Sequence, residues 1–182
     1  SGANRYVTGV YGKVVNTSGT ESNVANIRLW NQQASPTTSD SPGYITFNTT
    51  NDGASTATEK VRIDSSGRLL LGTTTEGSTE ADDLTIATSG HTGITLRSGT
   101  TYEGNIFFSD GTSGAAEYAG TIQYSHANDH MQFATGGSER MRIVSDGRVS
   151  IGGMAPDTGV NLHIESSGEA NFLLEGSSRG VG

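Results

Sequence analysis

The chain has 182 residues, a net charge of −8 and no cysteine, which excludes a disulfide framework and a thiol metal site. Nineteen acidic residues stand against eleven basic ones, only two of them Lys, a balance that disfavours a nucleic-acid partner because phosphate contacts dominate such binding. No apolar run approaches the ~18 residues of a membrane span and no signal-peptide core is present, so membrane insertion is not expected.

Gly fills 26 positions, and Leu, Ile, Val and Phe together fill 34, just under a fifth of the chain. That composition lies near the edge of disorder. The apolar residues are nevertheless ordered, in short alternating runs such as "YITFN", "LTIAT", "TIQYS" and "VSIGG". Period-2 alternation marks half-buried strands. A chain with little apolar area and strand patterning throughout is expected to share its core with copies of itself. The opening at Ser1, without Met, is expected of a cleaved product or a fragment.

In chain order, residues 1–25 read as a connecting segment. A first β-module spans 26–83, from "NIRLW" at 26–30 through a turn-rich loop at 31–43 and "GYITF" at 43–47 to "EKVRIDSSGRLLLG" at 59–72. The stretch "TEGSTEADDLTI" admits one capped turn starting at Thr79, although an acidic loop accounts for it better. A second module spans 84–161, with "LTIATSG" at 84–90, "NIFFS" at 105–109, "GTIQY" at 120–124 and "ERMRIVSDGRVSIG" at 139–152. Matching "NIRLW" to "NIFFS" and "GYITF" to "GTIQY" gives a repeat of roughly 80 residues. "LHIESSG" at 162–168 then begins a truncated third module, 162–182.

The register of the repeated hairpin follows from its side chains. A two-residue loop would set Ile143 against Ser150. A three-residue loop, Ser145–Gly147, pairs Ile143 with Val149 and Met141 with Ile151. The first copy then pairs Ile63 with Leu69 and Val61 with Leu71, and brings Asp64 against Arg68. Such loops place their third residue in the left-handed region, here Gly67 and Gly147. The hairpin has one dry face, and two strands alone are marginal in water, so something must cover it.

The pattern E-[KR]-x-R-I-x-S-x-G-R-x-x-x-G, with a spacer and "L-x-[IV]-x-x-S-G", resembles the repeat of tail-fibre and tail-appendage proteins of tailed phages, marine ones in particular. The resemblance covers most of residues 20–182. It implies an all-β fold of elongated, repeated hairpin modules, built as an intertwined or side-by-side trimeric fibre or knob. It implies a structural and host-attachment role in the virion, with partners that are copies of the chain, other tail or fibre subunits, and a host cell-surface glycan or protein. Many relatives end in a self-cleaving chaperone with a Ser-Lys pair; the Arg-Leu-Lys that follows its cleavage site is missing after "SDG" at 109 and 145.

Candidate chemistry is sparse. His126, Asp129 and His130 in "SHANDH" are of the ligand type for a divalent cation, but an exposed hairpin turn between "TIQYS" and "MQFAT" explains the same residues. "SDGTSG" and "TTNDG" lack the alternating oxygens of a calcium loop and read as turns. Glu80, Asp82, Asp83, Glu103 and Glu117 could supply a glycosidase pair, yet nothing in the sequence pairs them. No G-x-S-x-G elbow is present. Among the aromatics Trp30, Tyr102 and Tyr118 are candidates for stacking on a sugar, whereas Phe107, Phe108, Tyr124 and Phe133 fit strands. No cofactor and no enzymatic activity is expected; a tailspike glycan depolymerase or a bacterial adhesin or filament subunit are the alternatives.

Overall fold

The computed structural model describes residues 5–15, 17–33, 37, 39–152 and 155–168, with the backbone alone at 5–7. The fold is all-β. Two compact units, residues 1–94 and 95–182, each carry one six-stranded sheet. The first comprises β1 (Arg5–Val15), β2 (Glu21–Asn31), β3 (Gly43–Thr49), β4 (Thr58–Ile63), β5 (Leu69–Leu71) and β6 (Leu84–Ile86). The second comprises β7 (Glu103–Phe108), β8 (Gly120–Ser125), β9 (His130–Thr135), β10 (Ser138–Ile143), β11 (Val149–Ile151) and β12 (Leu162–Ile164), with a 3-10 turn over Gly114–Tyr118. Spatial order follows chain order in both, so every strand pairs with its neighbours in sequence. Four antiparallel pairings lead to a final parallel one, β5 with β6 and β11 with β12.

The hairpin registers match side chain to side chain: Val61 with Leu71 and Ile63 with Leu69, Met141 with Ile151 and Ile143 with Val149. Gly67 and Gly147 close the two loops at φ +84° and +85°. Gly67 N donates to Asp64 O at 3.0 Å and Gly147 N to Val144 O at 2.8 Å, which closes each loop around its glycine.

The sheets divide the chain differently from the sequence boundaries. β1 lies in the segment 1–25 and β2 begins there, and both belong to the first sheet. "LTI" at 84–86 ends the first sheet instead of opening the second, and "LHI" at 162–164 ends the second instead of opening a third. Residues 169–182 lie outside the described residues. The strand match is also out of step. Counting back from each hairpin, β3 corresponds to β9 and β2 to β8, so "NIRLW" stands where "TIQYS" stands, not "NIFFS". The cause is a loop-length difference. Gly136 and Gly137, both at positive φ, join β9 to β10 directly, whereas residues 50–57 separate β3 from β4. Two consecutive left-handed residues make the tight turn that suits a hairpin.

Alternation gives every strand a dry face and a polar face, and the burial is the reverse of the ordinary pattern. On the polar face of the first sheet Asn26, Tyr44, Thr46, Asn48 and Leu70 are 1–6% exposed. On its dry face Ile27, Leu29, Phe47, Ile63 and Leu69 are 36–41% exposed. The second sheet repeats this, with Thr121, Ser125, His130 and Ser150 buried while Ile106, Phe108, Ile151 and Leu162 lie open. Soluble sheets normally bury the apolar side.

Candidate functional site

The polar faces are covered by the chain itself, and the repeated motif supplies the means. Its first element is a bulge. Asn48 pairs with Glu59 and Phe47 with Val61, so Lys60 is an extra residue; Ala134 with Glu139 and Phe133 with Met141 leave Arg140 extra in the second copy. A bulge shifts the side-chain alternation by one. Glu59 and Arg62, three apart, therefore share a face and form a two-pronged pair, Nε to Oε1 at 2.7 Å and Nη2 to Oε2 at 2.9 Å. Arg142 holds Glu139 in the same way at 2.8 and 2.6 Å. Donating to the Glu59 carboxylate raises the Arg62 pKa, and burial only partly offsets it.

The second element is a clamp on the crossover. Arg68 leaves the turn to bind Asp64 through Nε at 2.7 Å and Asp82, at the end of the β5–β6 connection, through Nη1 at 2.9 Å. Val144 replaces Asp64 in the second copy, so Arg148 turns to Asp146 at 2.8 Å and donates through Nη1 to the carbonyls of Pro156 and Asp157 at 2.9 and 2.8 Å. The connections are tied down near their far ends too, Gly77 N to Thr85 Oγ1 at 3.0 Å and Asp157 N to His163 Nδ1 at 3.4 Å. Burial would raise the Asp64 pKa, yet the bonds donated by Arg68 and Ser66 hold it below its ordinary value. Arg68 is raised, most of all by its bond to Asp82.

The last Gly of the motif carries a constraint that the sequence pattern alone does not explain. Gly72 sits at φ +73° and Gly152 at +87°, and a Cβ at either would collide with a carbonyl oxygen of the parallel strand's continuation, Ala87 or Glu165. The signal that could have pointed to it is the terminal Gly shared by both copies.

Across β1–β4 the polar face carries a ladder of rings and charges. Trp30 and Tyr44 stack with centroids 5.8 Å apart and planes 9° apart. The Arg62 guanidinium lies 4.2 Å from the Tyr44 centroid, and Arg28 lies 5.9 Å from both Tyr11 and Trp30. Trp30 Nε1 donates to Thr46 Oγ1 at 3.1 Å. Trp30 is thus engaged by neighbours on the sheet and does not stand alone as a sugar platform.

The other candidates are dispersed. Tyr102, 67% exposed, lies in the turn before β7. Tyr118, 43% exposed, ends the 3-10 turn with its ring 6.3 Å from Phe107. His130 is buried at the start of β9, while His126 packs edge-on to Tyr124 at 5.0 Å. Asp129 takes φ +47° in the turn and accepts a bond from Tyr124 Oη at 3.3 Å. Burial, with that carboxylate, raises the Tyr124 pKa. Among the described residues no group of three His, Asp or Glu is placed to hold a metal ion. Asp82 is taken by Arg68, and Glu80 accepts from Ser78 Oγ at 2.8 Å, which lowers its pKa. Asp83 accepts from Leu69 N through its backbone carbonyl, Glu103 begins β7 and Glu117 lies in the 3-10 turn.

What remains open is the dry face of each sheet. The first holds a shallow hollow of about 280 Å³ lined by Val10, Gly12, Ala25, Asn26, Ile27, Phe47, Asn48 and Thr49. The second holds one of about 230 Å³ lined by Leu96, Ile106, Ile122, Tyr124, His126 and Met131. Both are apolar and wide-mouthed, a shape suited to interdigitating side chains of another sheet and not to enclosing a small molecule. No helix among the described residues is long and apolar enough to cross a membrane.

No family model matches the chain, and no curated protein matches it. Among the solved structures similar to it are two of one tail fibre. One is the carboxy-terminal domain of the bacteriophage T5 L-shaped tail fibre with its intramolecular chaperone domain, at 15% identity and a TM-score of 0.44, covering 97% of this chain. This chain spans 62% of that one's length. The other is the carboxy-terminal domain of the same fibre, at 13% identity and a TM-score of 0.38, covering 96% of this chain and 88% of that one. Likeness at these values transfers no role.

Proposed function

We propose that the chain is a structural and host-attachment module of a phage tail fibre, carried on the virion as a homotrimer joined to other tail or fibre subunits. The observation that carries this reading is the open dry face of both sheets. Each unit spends its buried volume on the polar side, where the motif's arginines and the crossover do the covering. Each leaves Ile, Leu and Phe side chains 36–59% exposed on the other side. Contiguous apolar surface of that kind marks an interface. The same motif prepares the same face in both units, so the covering element is itself repeated along the chain. A second and third copy of the chain meet that requirement: three sheets facing inward close a triangular core. The resemblance of the hairpin repeat to phage tail-fibre proteins supports the same arrangement and adds a host-surface glycan or protein as the target.

Sedimentation at micromolar concentration tests the assembly. The expected species has three times the 18.9 kDa of the chain. A compact monomer with a cooperative melt refutes the shared core. Adsorption of the fluorescently labelled protein to a panel of bacterial strains tests attachment; no strain-selective retention on any of them refutes that half of the reading.

A further inference from the structure

Asn26 is 4% exposed, and neither atom of its carboxamide has a hydrogen-bond partner. Two residues on, Arg28 buries its Nε, also without a partner, and no ion pair among the described residues involves its guanidinium. Buried polar groups are nearly always satisfied, so three unmet atoms on alternate residues of one strand need an explanation. Four arginines of the repeated motif contrast with Arg28. Arg62, Arg68, Arg142 and Arg148 each bind a carboxylate.

Asn26 and Arg28 alternate with the exposed Ile27 and Leu29, and so lie on the polar face, away from the surface assigned to assembly. Arg28 faces Gly9 across the β1–β2 pairing, so no β1 side chain stands directly opposite the guanidinium. Tyr11, opposite Asn26 and 38% exposed on the edge strand, has its ring 5.9 Å from that guanidinium, as does Trp30. The matching strand of the second sheet, β8, offers Thr121, Gln123 and Ser125 and no cation, and there Gln123 is met by Asn105 at 2.9 Å. The unmet donors on this strand have no counterpart in the second sheet.

We propose that Arg28 and Asn26, bordered by Tyr11 and Trp30, form a subsite for the carboxylate of an acidic sugar. The guanidinium takes the carboxylate by charge-assisted hydrogen bonds, which are the strong ones. Asn26 Nδ2 donates a further bond and its Oδ1 accepts from a ring hydroxyl. The Trp30 and Tyr11 rings offer apolar edges to the sugar's C–H groups. One cation beside one amide balances a monoanion; a phosphomonoester would ask for a second positive group. The inference deepens the host-attachment reading, and rests on it only for the source of the sugar.

The sole Trp of the chain lies in the subsite, which gives a direct readout on the unaltered protein. The assembled full-length chain is titrated with an oligogalacturonate of about six sugars and, separately, with uncharged maltohexaose. A saturable change in Trp30 emission with the first and none with the second is expected. Arg28→Gln should weaken oligogalacturonate binding by about tenfold or more by calorimetry, Arg28→Lys by less. Unchanged melting and sedimentation show that the variants are assembled; if Arg28→Gln fails that control, the Trp30 titration of the wild type decides alone. No oligogalacturonate binding by the wild type, or equal binding by an assembled Arg28→Gln, overturns the subsite. Adsorption to bacterial strains is read in parallel: strain-selective adsorption unaffected by an assembled Arg28→Gln overturns the subsite and leaves host attachment standing. Oligogalacturonate binding without adsorption to any strain supports the subsite and removes its role in attachment.

Discussion

Glu59 and Arg62 share one face of β4 only because Lys60 is bulged out of the ladder, and Glu139 and Arg142 share one face of β10 because Arg140 is. In an unbroken strand residues three apart point to opposite sides. The E-[KR]-x-R spacing is therefore the written form of a bulge, and its purpose is to carry an ion pair onto the polar face while Val61 and Ile63 stay on the dry one.

Removing the acidic partner tests that role. Both side chains are 15–25% exposed, which discounts the strength of a charge-assisted pair. Glu59→Gln is expected to cost about 1 kcal/mol, and Lys60→Ala close to nothing, because the bulge needs only backbone at that position. Deleting Lys60 should cost little more than Lys60→Ala, since the shortened strand keeps Glu59 opposite Asn48 on the polar face, now two residues from Arg62. Denaturant midpoints of the assembled protein give the order; a Lys60 deletion far worse than Glu59→Gln would show that the bulge does more than set the face of Glu59.

The four glycines of the repeated motif, all at positive φ, fall into two classes. Around Gly67 and Gly147 no atom comes within 4 Å of the point where a β-methyl would sit, so Ala there meets only the backbone penalty, about 1 kcal/mol. Gly72 and Gly152 add a collision with the backbone of Ala87 or Glu165. Their Ala variants should cost about 1–3 kcal/mol more and release the parallel strand first. Melting curves of the four single variants test the split, and equal losses across all four would contradict it.

Much of this is legible in the sequence, for a definite reason. Matching Ile63 to Leu69 and Ile143 to Val149 fixes a register because a one-residue slip would put apolar residues on the wrong face. The parallel pairing of Leu84–Ile86 with β5 is not legible, since the spacer 72–83 carries no mark of which edge it returns to. The strand match fails because it assumes equal loops where Gly136-Gly137 replaces residues 50–57. Trp30 stands out as an aromatic, whereas Asn26 and Arg28 do not: their unmet hydrogen bonds depend on what faces them across β1 and β3.

Acid should act through Asp64. Its folded pKa is below the ordinary 3.8, so its contribution is present in full above that value and is lost as pH falls through the lower, folded one. As pH falls below the ordinary 3.8 the first hairpin should lose stability steadily, and Asp64→Asn should flatten that part of the profile while lowering stability at neutral pH. Melting temperature against pH for the two proteins is the measurement. Parallel profiles would show that Asp64 is not the titrating group.

Each sheet completes its ladder within its own unit, and this bears on how damage spreads. Ile143 lies between Val149 on β11 and Met131 on β9, half-buried on the dry face. Truncating it removes contacts that hold three strands of the second sheet, at about 1–2 kcal/mol for a partly buried Ile. Repeat units that each complete their own hydrogen-bond ladder behave as linked units with largely separate stabilities. Ile143→Ala is accordingly expected to speed amide exchange across residues 103–164 and leave residues 21–86 protected. Hydrogen exchange resolved by peptide distinguishes the possibilities: a uniform loss across both sheets would mean one cooperative globule, and the repeated hairpin would then be a relic of duplication instead of a building block.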